Sequence, residues 1–252
     1  MADLLIINPN TTGSITTLLQ VHVSERVGAS TGKFGAVHAV TARFGSPYIS
    51  SEASYAVAAH STLDAWAAWL AANPNTRLGA ILVGCFGDPG SMALRDSAAV
   101  PVTGLAEAAF VEAAAFGRFA IVTGGERWKP ILERLAHGLG FGDRLVGIHT
   151  VTPTGAELAA DPEGALRLLA TACNDIAKLT GADAVVLGGA GLAGMAARIQ
   201  SQVQVPVIDS VAAGARQAAL LCGQPGTTSS PGFDVPWVAL SPELTALGSD
   251  RR

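Results

Sequence analysis

Leu78–Gly90 reads LGAILVGCFGDPG, and Gly181–Gly194 reads GADAVVLGGAGLAG. Each is a short apolar run that breaks into a glycine-rich turn. Cys85 and Gly189 hold the same place in the two turns, 104 residues apart, with Gly84 aligned to Gly188 and Gly87 to Gly191. Continuous Val/Ile/Leu runs of this length are the pattern of strands buried on both faces of a parallel sheet. Glycines at the strand ends let backbone approach a ligand closely. A cleft built from two such halves meets one thiol on one side and none on the other.

The repeat extends outward from the turns. LLIIN (Leu4–Asn8) resembles FAIVT (Phe119–Thr123), and VPVTGLAEAA (Val100–Ala109) resembles VPVIDSVAAG (Val205–Gly214), so three pairs keep their order at offsets of 104 to 115. Strands are expected over Leu4–Asn8, Ala36–Thr41, Ala80–Gly84, Val100–Val102, Phe119–Thr123, Arg144–His149, Ala184–Gly188 and Val205–Ile208. Helices are expected over Glu52–Ala72, Leu105–Ala115, Pro130–Gly138, Pro162–Leu179 and Val211–Leu221. Alternating strand and helix defines an α/β fold. The half-length repeat predicts two lobes related by a pseudo-twofold axis, each a mostly parallel sheet flanked by helices. One lobe comprises residues 1–104 with about 209–252, the other residues 105–208. Ligands of open α/β sheets bind beyond the carboxyl ends of strands, which places the active site in the cleft between the lobes.

The 252 residues are 49% hydrophobic and 14% charged, with a net charge of −4 and no acidic or basic block. That balance points to neither nucleic acid nor a membrane surface as partner. No apolar run approaches the roughly 18 residues of a spanning helix, and MADLLIINPNTT lacks the basic-then-apolar order of a signal peptide. Three cysteines without close pairing fit a reducing, cytoplasmic setting. The tail from Gly223, GQPGTTSSPGFDVPWVALSPEL, is read either as docking through Phe233, Trp237 and Leu240 on the body or a neighbouring subunit, or as a partly disordered end.

Cys85 is the first candidate for chemistry. Asp88-Pro89 after it resembles the cap and first position of a helix, and a thiol beside a helix N-terminus is expected to be more acidic than a free one. The alternative is a packed core thiol, the reading given to Cys173 and Cys222 on their apolar helical stretches. Gly189, Gly191 and Gly194 match G-x-G-x-x-G with Asp209 further on, a dinucleotide fingerprint in form. The twin turn at Cys85 lacks it, and a shared cleft accounts for both copies. Asn8, Asn10 and Thr11 at the end of the first strand offer polar groups to a carbonyl or carboxylate, or form an Asx turn. Thr123 and Gly124 are their symmetry mates, and Ser46-Pro47-Tyr48-Ile49, at the end of the second strand, is placed to cover the cleft. The five histidines form no metal-ligand spacing, so no metal is inferred. Trp66 and Trp69 are read as packing or as an oligomer face, which leaves a homo-oligomer open.

INPNTT at Ile7–Thr12, GCFGDPG at Gly84–Gly90, PVTGLAEAA at Pro101–Ala109 and GRFAIVT at Gly117–Thr123 together resemble the hydantoin racemase family, within the aspartate/glutamate racemase superfamily. The resemblance runs over about residues 1 to 221. It implies two similar α/β lobes, no cofactor, and two cysteines facing each other across the cleft. One thiolate takes the proton α to a carbonyl, and the opposite thiol returns one to the other face. Cys85 matches the first cysteine. The second belongs in a motif like LGCAG, which here reads Leu187-Gly188-Gly189-Ala190-Gly191, so Gly189 stands in its place. Three readings of Gly189 follow: an engineered replacement, a natural single-thiol enzyme, or a chain that binds without catalysis.

The resemblance implies a small-molecule substrate, a 5-substituted hydantoin or allantoin, with proton transfer at C5. Cys85 would be the acid/base, Phe86 and Gly87 would line the ring pocket with Gly188, Ala190 and Gly191, and Asn10 and Thr123 would make polar contacts. The rivals are a single-cysteine enzyme like arylmalonate decarboxylase, acting on a malonate-like acid, and a non-catalytic binding protein.

Overall fold

The computed structural model describes residues 1–30, 34–152, 162–226, 232–233 and 236–249. In chain order the elements are β1 (Ala2–Asn8), α1 (Gly13–Ser30), β2 (Phe34–Thr41), α2 (Glu52–Ala72), β3 (Leu78–Val83), α3 (Ser91–Ser97), β4 (Val102–Gly104) and α4 (Leu105–Ala114). They continue with β5 (Phe119–Gly124), α5 (Trp128–Gly138), β6 (Leu145–Val151), α6 (Pro162–Thr180), β7 (Ala184–Gly188), α7 (Met195–Ile199), β8 (Val207–Asp209), α8 (Ser210–Leu221) and α9 (Pro242–Ser249). Short 3₁₀ turns cover Ala190–Leu192 and Gln200–Gln202.

The strands form two four-stranded parallel sheets, ordered β2-β1-β3-β4 and β6-β5-β7-β8. The order repeats, and so does the register. Ile7 pairs with Val83 and Val83 with Gly104 in the first sheet; Val122 pairs with Leu187 and Leu187 with Asp209 in the second. The α/β architecture expected from the repeat is therefore present. Two of the strands begin two residues later than expected, β4 at Val102 and β8 at Val207, each just after a proline (Pro101, Pro206). Proline has no N–H for the ladder, yet the carbonyls of Pro101 and Pro206 still accept from Ile81 and Val185.

Alternation along each strand divides the core. Leu4, Ile6 and Leu82 point inward to a cluster that also holds Phe119, Ile121, Val186 and Ile208, so one core joins both sheets. Leu5, Ile7, Ile81 and Val83 face outward beneath α2 and the tail, while Val122, Val185 and Leu187 face α6 and α7. Two helices lace the sheets together. Helix α4 follows β4 of the first sheet but packs on β7 and β8 of the second; α8 follows β8 but packs on β3, β4 and α1. Phe110 on α4 stacks on Phe119 with centroids 5.4 Å apart.

The described part of the tail docks on the body. Phe233 is buried against Trp66, Leu244 is buried, and Glu243 pairs with Arg43, which also holds the buried Asp64. Trp66 and Trp69 lie in that packed layer and not on an open face. Leu240, also expected to anchor the tail, packs partly buried against the same layer. Among the described residues no helix is long and apolar enough to cross a membrane, and no group of three or more His, Cys, Asp or Glu could hold a metal ion.

Candidate active site

The carboxyl ends of β1, β3, β5 and β7 converge on a cavity of about 400 Å³. Both glycine turns reach it: Gly84, Cys85 and Phe86 from one, Gly188 through Leu192 from the other. Of the residues singled out in the sequence, Asn10, Pro47, Tyr48, Cys85, Phe86, Thr123, Gly124, Gly188, Gly189, Ala190 and Gly191 line it. Asn8, Thr11 and Gly87 do not.

Asn8 is fully buried behind the wall. Its amide donates toward Asn10 Oδ1, the Thr12 carbonyl and Thr16 Oγ1 at 3.0–3.1 Å, and its oxygen accepts from Asn10 N at 3.2 Å. The residue is spent on shaping its own loop, as the Asx-turn reading had it. Asn10 Oδ1 takes the Asn8 amide and Thr12 N–H, and among the described residues no group bonds its NH₂. Thr11 N–H ties the loop to Ser46, and Thr12 Oγ1 ties it to the Pro47 carbonyl. Gly87 lies beneath the Trp128 ring, and its carbonyl accepts from Tyr55 at 2.7 Å.

Thr123 occupies the position in the second sheet that Asn8 occupies in the first, but its environment differs. It is 4% exposed, lines the cavity, and among the described residues no protein group bonds its hydroxyl. Tyr48 closes the far side by donating to the Gly124 carbonyl at 3.3 Å. Ile15, Leu18, Trp128 and Leu192 supply apolar walls that the sequence reading did not name, and Ile49 adds another beside Pro47 and Tyr48. Ile15 and Leu18 belong to α1, whose β-branched residues (Thr16, Thr17, Val21, Val23, Val27) disguised a helix. Among the described residues that line the cavity, none carries a charge.

The expected acidity of Cys85 is reversed. Helix α3 begins at Ser91, with Gly90 in the cap position, so Asp88 is not its cap. Asp88 turns away at φ 53° and caps α4 instead, accepting from Ala106 N at 2.9 Å and Glu107 N at 2.7 Å. Burial pushes the Cys85 thiol well above its ordinary range, and the Asp88 carboxylate adds to the effect. Burial also raises Asp88 itself, to about 7, against the opposing pull of its backbone hydrogen bonds. Cys85 nonetheless lines the cavity while also belonging to the buried core cluster. Cys173 is a fully buried core residue, while Cys222, expected in the core, is half-buried at the end of α8.

The dinucleotide fingerprint also resolves. Asp209 caps its own helix, accepting from Val211 N and Ala212 N at 2.9 and 3.0 Å, while its second oxygen takes Gly194 N–H at 2.7 Å. The carboxylate is fully engaged inside the protein and is not offered to a ribose.

Comparison with known proteins converges on one family. The Asp/Glu/hydantoin racemase family profile matches residues 4–218. A hydantoin racemase of Pseudomonas sp. (strain NS671) is 36% identical over 141 residues, 55% of this chain, and the matched stretch spans only 56% of that relative's length. An allantoin racemase from Klebsiella pneumoniae superposes with a TM-score of 0.80 at 30% identity, over 98% of this chain and 99% of that one. Unliganded arylmalonate decarboxylase, 17% identical with a TM-score of 0.57 over 89% of this chain and 94% of its own, shares the fold.

Proposed function

The chain belongs to the Asp/Glu/hydantoin racemase family, a family of isomerases, and on that ground we propose that it moves the C5 proton of a five-membered cyclic ureide of the hydantoin or allantoin type. One observation carries the choice of substrate: a cavity walled by both glycine turns is lined by Cys85, and the described residues around it are uncharged. A dicarboxylate or a zwitterionic amino acid entering such a site would shed its hydration without a cation to receive it, at a cost of several kcal/mol. A neutral ring with two carbonyls meets no such penalty. The same point weighs against a malonate-like acid.

The polar groups suit that ring. The free NH₂ of Asn10 and the hydroxyl of Thr123 offer donors to ring carbonyls from opposite lobes. The carbonyl next to C5 acidifies its proton, and backbone N–H groups of the glycine turns would receive the enolate oxygen. A buried thiol is a scarce but strong base. Its thiolate is rarely present, yet once formed it is better matched to a weak carbon acid than an acidic thiolate would be. In the resting chain Cys85 is a proton donor held at one face of the ring. Gly189 supplies no group at the other face, so the reading is of efficient exchange at one face and slow inversion.

The experiment is to incubate each enantiomer of a 5-substituted hydantoin, and of allantoin, in D₂O. Loss of the C5 proton is followed by NMR and optical rotation in parallel, both above the enzyme-free rate. The proposal expects C5 exchange of one enantiomer to outrun loss of rotation, and Cys85→Ser to abolish it. Equal exchange of both enantiomers would overturn the single-face picture, and exchange that survives Cys85→Ser would remove the sulfur from the mechanism.

A further inference from the structure

Asp88 and Asp209 make the same structural connection from opposite ends. In each half a glycine turn is held against the start of the helix that follows the next strand, α4 or α8. In the second half the carboxylate comes from the strand end: Asp209 caps α8 and reaches back to Gly194 N–H in the turn. In the first half it comes from the turn: Asp88 reaches out and caps α4 at Ala106 and Glu107. The exchanged positions are complementary. Gly104 stands where the second half has Asp209, and a Cβ there would run into the Asp88 carboxylate. Leu192 stands where the first half has Asp88, and it lines the cavity.

The exchange has a chemical consequence in one half only. Asp88 lies three residues from Cys85, its N–H bonds the Cys85 carbonyl at 3.0 Å, and it is 2% exposed. The groups that face it are few. Cys85 belongs to its own turn, and Tyr55 on α2 feels its charge. Glu107 on α4 repels it, and Glu107 is itself paired with Arg95 from α3. The helix held by Asp88 packs on β7, the strand that carries the opposing turn.

We propose that Asp88 is a positioning residue for Cys85: one side chain fixes the thiol-bearing turn to the helix beneath the opposite turn, and its charge sets how readily the sulfur releases a proton. Neutral Asp88 leaves the cap in place through its acceptor oxygens and eases thiolate formation; ionised Asp88 opposes it. The inference rests on Cys85 being the proton-transfer group, but its test needs no substrate, so it stands or falls separately from the substrate assignment.

The test is the pH dependence of Cys85 alkylation by iodoacetamide, a neutral reagent, read by mass spectrometry on the Cys85 peptide of the full-length chain. Asp88→Asn removes the charge and keeps one acceptor. Asp88→Ala with Gly104→Asn also removes the charge but restores a cap from the strand end, as in the second half, and serves where the single variant does not fold. In either variant the alkylation profile should move to lower pH by about one unit or more, a roughly tenfold faster reaction at pH 8. A purely structural cap would not move that profile. An unchanged profile in a folded variant, or one displaced to higher pH, overturns the proposal.

Discussion

Gly189→Cys puts a second thiol where the first half has Cys85, and the structure supplies its cost. A Cβ built at Gly189 meets only Leu192 Cγ and Cδ1, at 3.4 and 3.5 Å, which is ordinary contact. Space is therefore not the obstacle; the backbone is. Gly189 sits at φ 145°, ψ 132°, a region that glycine alone occupies readily, whereas Cys85 is not among the positive-φ residues. Holding a side chain there costs about 1–3 kcal/mol. Loss of glycine's freedom in the unfolded chain offsets about 0.4–1 kcal/mol of it. At mid-range the net is about 1.3 kcal/mol, or roughly 3–5 °C in Tm for a chain of this size. Gly189→Ala carries the same backbone cost without the sulfur and is the control. The assay pairs thermal unfolding with C5 exchange of each enantiomer in D₂O. Both variants should lose similar stability, and Gly189→Cys alone should gain exchange of the second enantiomer and faster loss of rotation. An alanine variant as stable as the parent would refute the strain argument. A folded cysteine variant with no gain at the second face would refute the equivalence of the two turns.

Other consequences follow from the same geometry. Asn8→Ala should lower stability by about 2–3 kcal/mol, measured by urea unfolding, because the buried partners of its amide lose their hydrogen bonds; a loss below about 0.5 kcal/mol would contradict its bracing role. Thr123→Val keeps the shape of a buried wall but removes the free hydroxyl, so it should raise KM several-fold with little change in Tm, and an unchanged KM would remove Thr123 from ligand binding. Asp88 gives a pH signature of its own. Its carboxyl is pushed up to about 7 in the folded chain from an ordinary value near 3.8, so the native state holds a proton that the unfolded state releases. Its contribution to stability therefore declines as pH rises from about 4 to about 7. Asp88→Asn should flatten that part of the profile in a urea series, and a slope that survives the substitution would assign it elsewhere.

Much of the architecture was legible because it depends on local, repeated signals. The apolar runs at Leu4–Ile7, Ala80–Gly84 and Ala184–Gly188 are strands because nothing polar interrupts them, and the glycine ends of the last two line the cavity. What escaped the sequence was nonlocal. Asn8 and Thr123 are symmetry mates in register, yet one is consumed by Thr12 and Thr16 and the other is left free, a difference set by the loop that follows each strand. Trp128 reaches the cavity from the start of α5, over a glycine in a turn more than forty positions earlier.

Asp88 shows the limit most sharply. Read locally, Asp-Pro after the cysteine turn is a cap for the next helix, and that reading makes the thiol acidic. The true partner is the helix that begins at Leu105, beyond an intervening helix and strand. A sequence repeat could not reveal it, because the two halves place the carboxylate on different strand ends, at 88 in one and 209 in the other, so neither copy predicts its twin. The same contact, met from opposite directions, puts a carboxyl beside Cys85 and an apolar Leu192 beside Gly189. The asymmetry of the site is thus built twice over. It lies in Gly189 standing where the first turn has Cys85 and in the carboxylate beside Cys85, so a cysteine at 189 alone would not make the two turns equivalent. Gly189→Cys should therefore give a thiol at residue 189 that alkylates faster at neutral pH than Cys85 in the same chain. Burial of Cys85 and the charge of Asp88 both favour that order, so the reverse order would show that neither governs thiol acidity at the two faces.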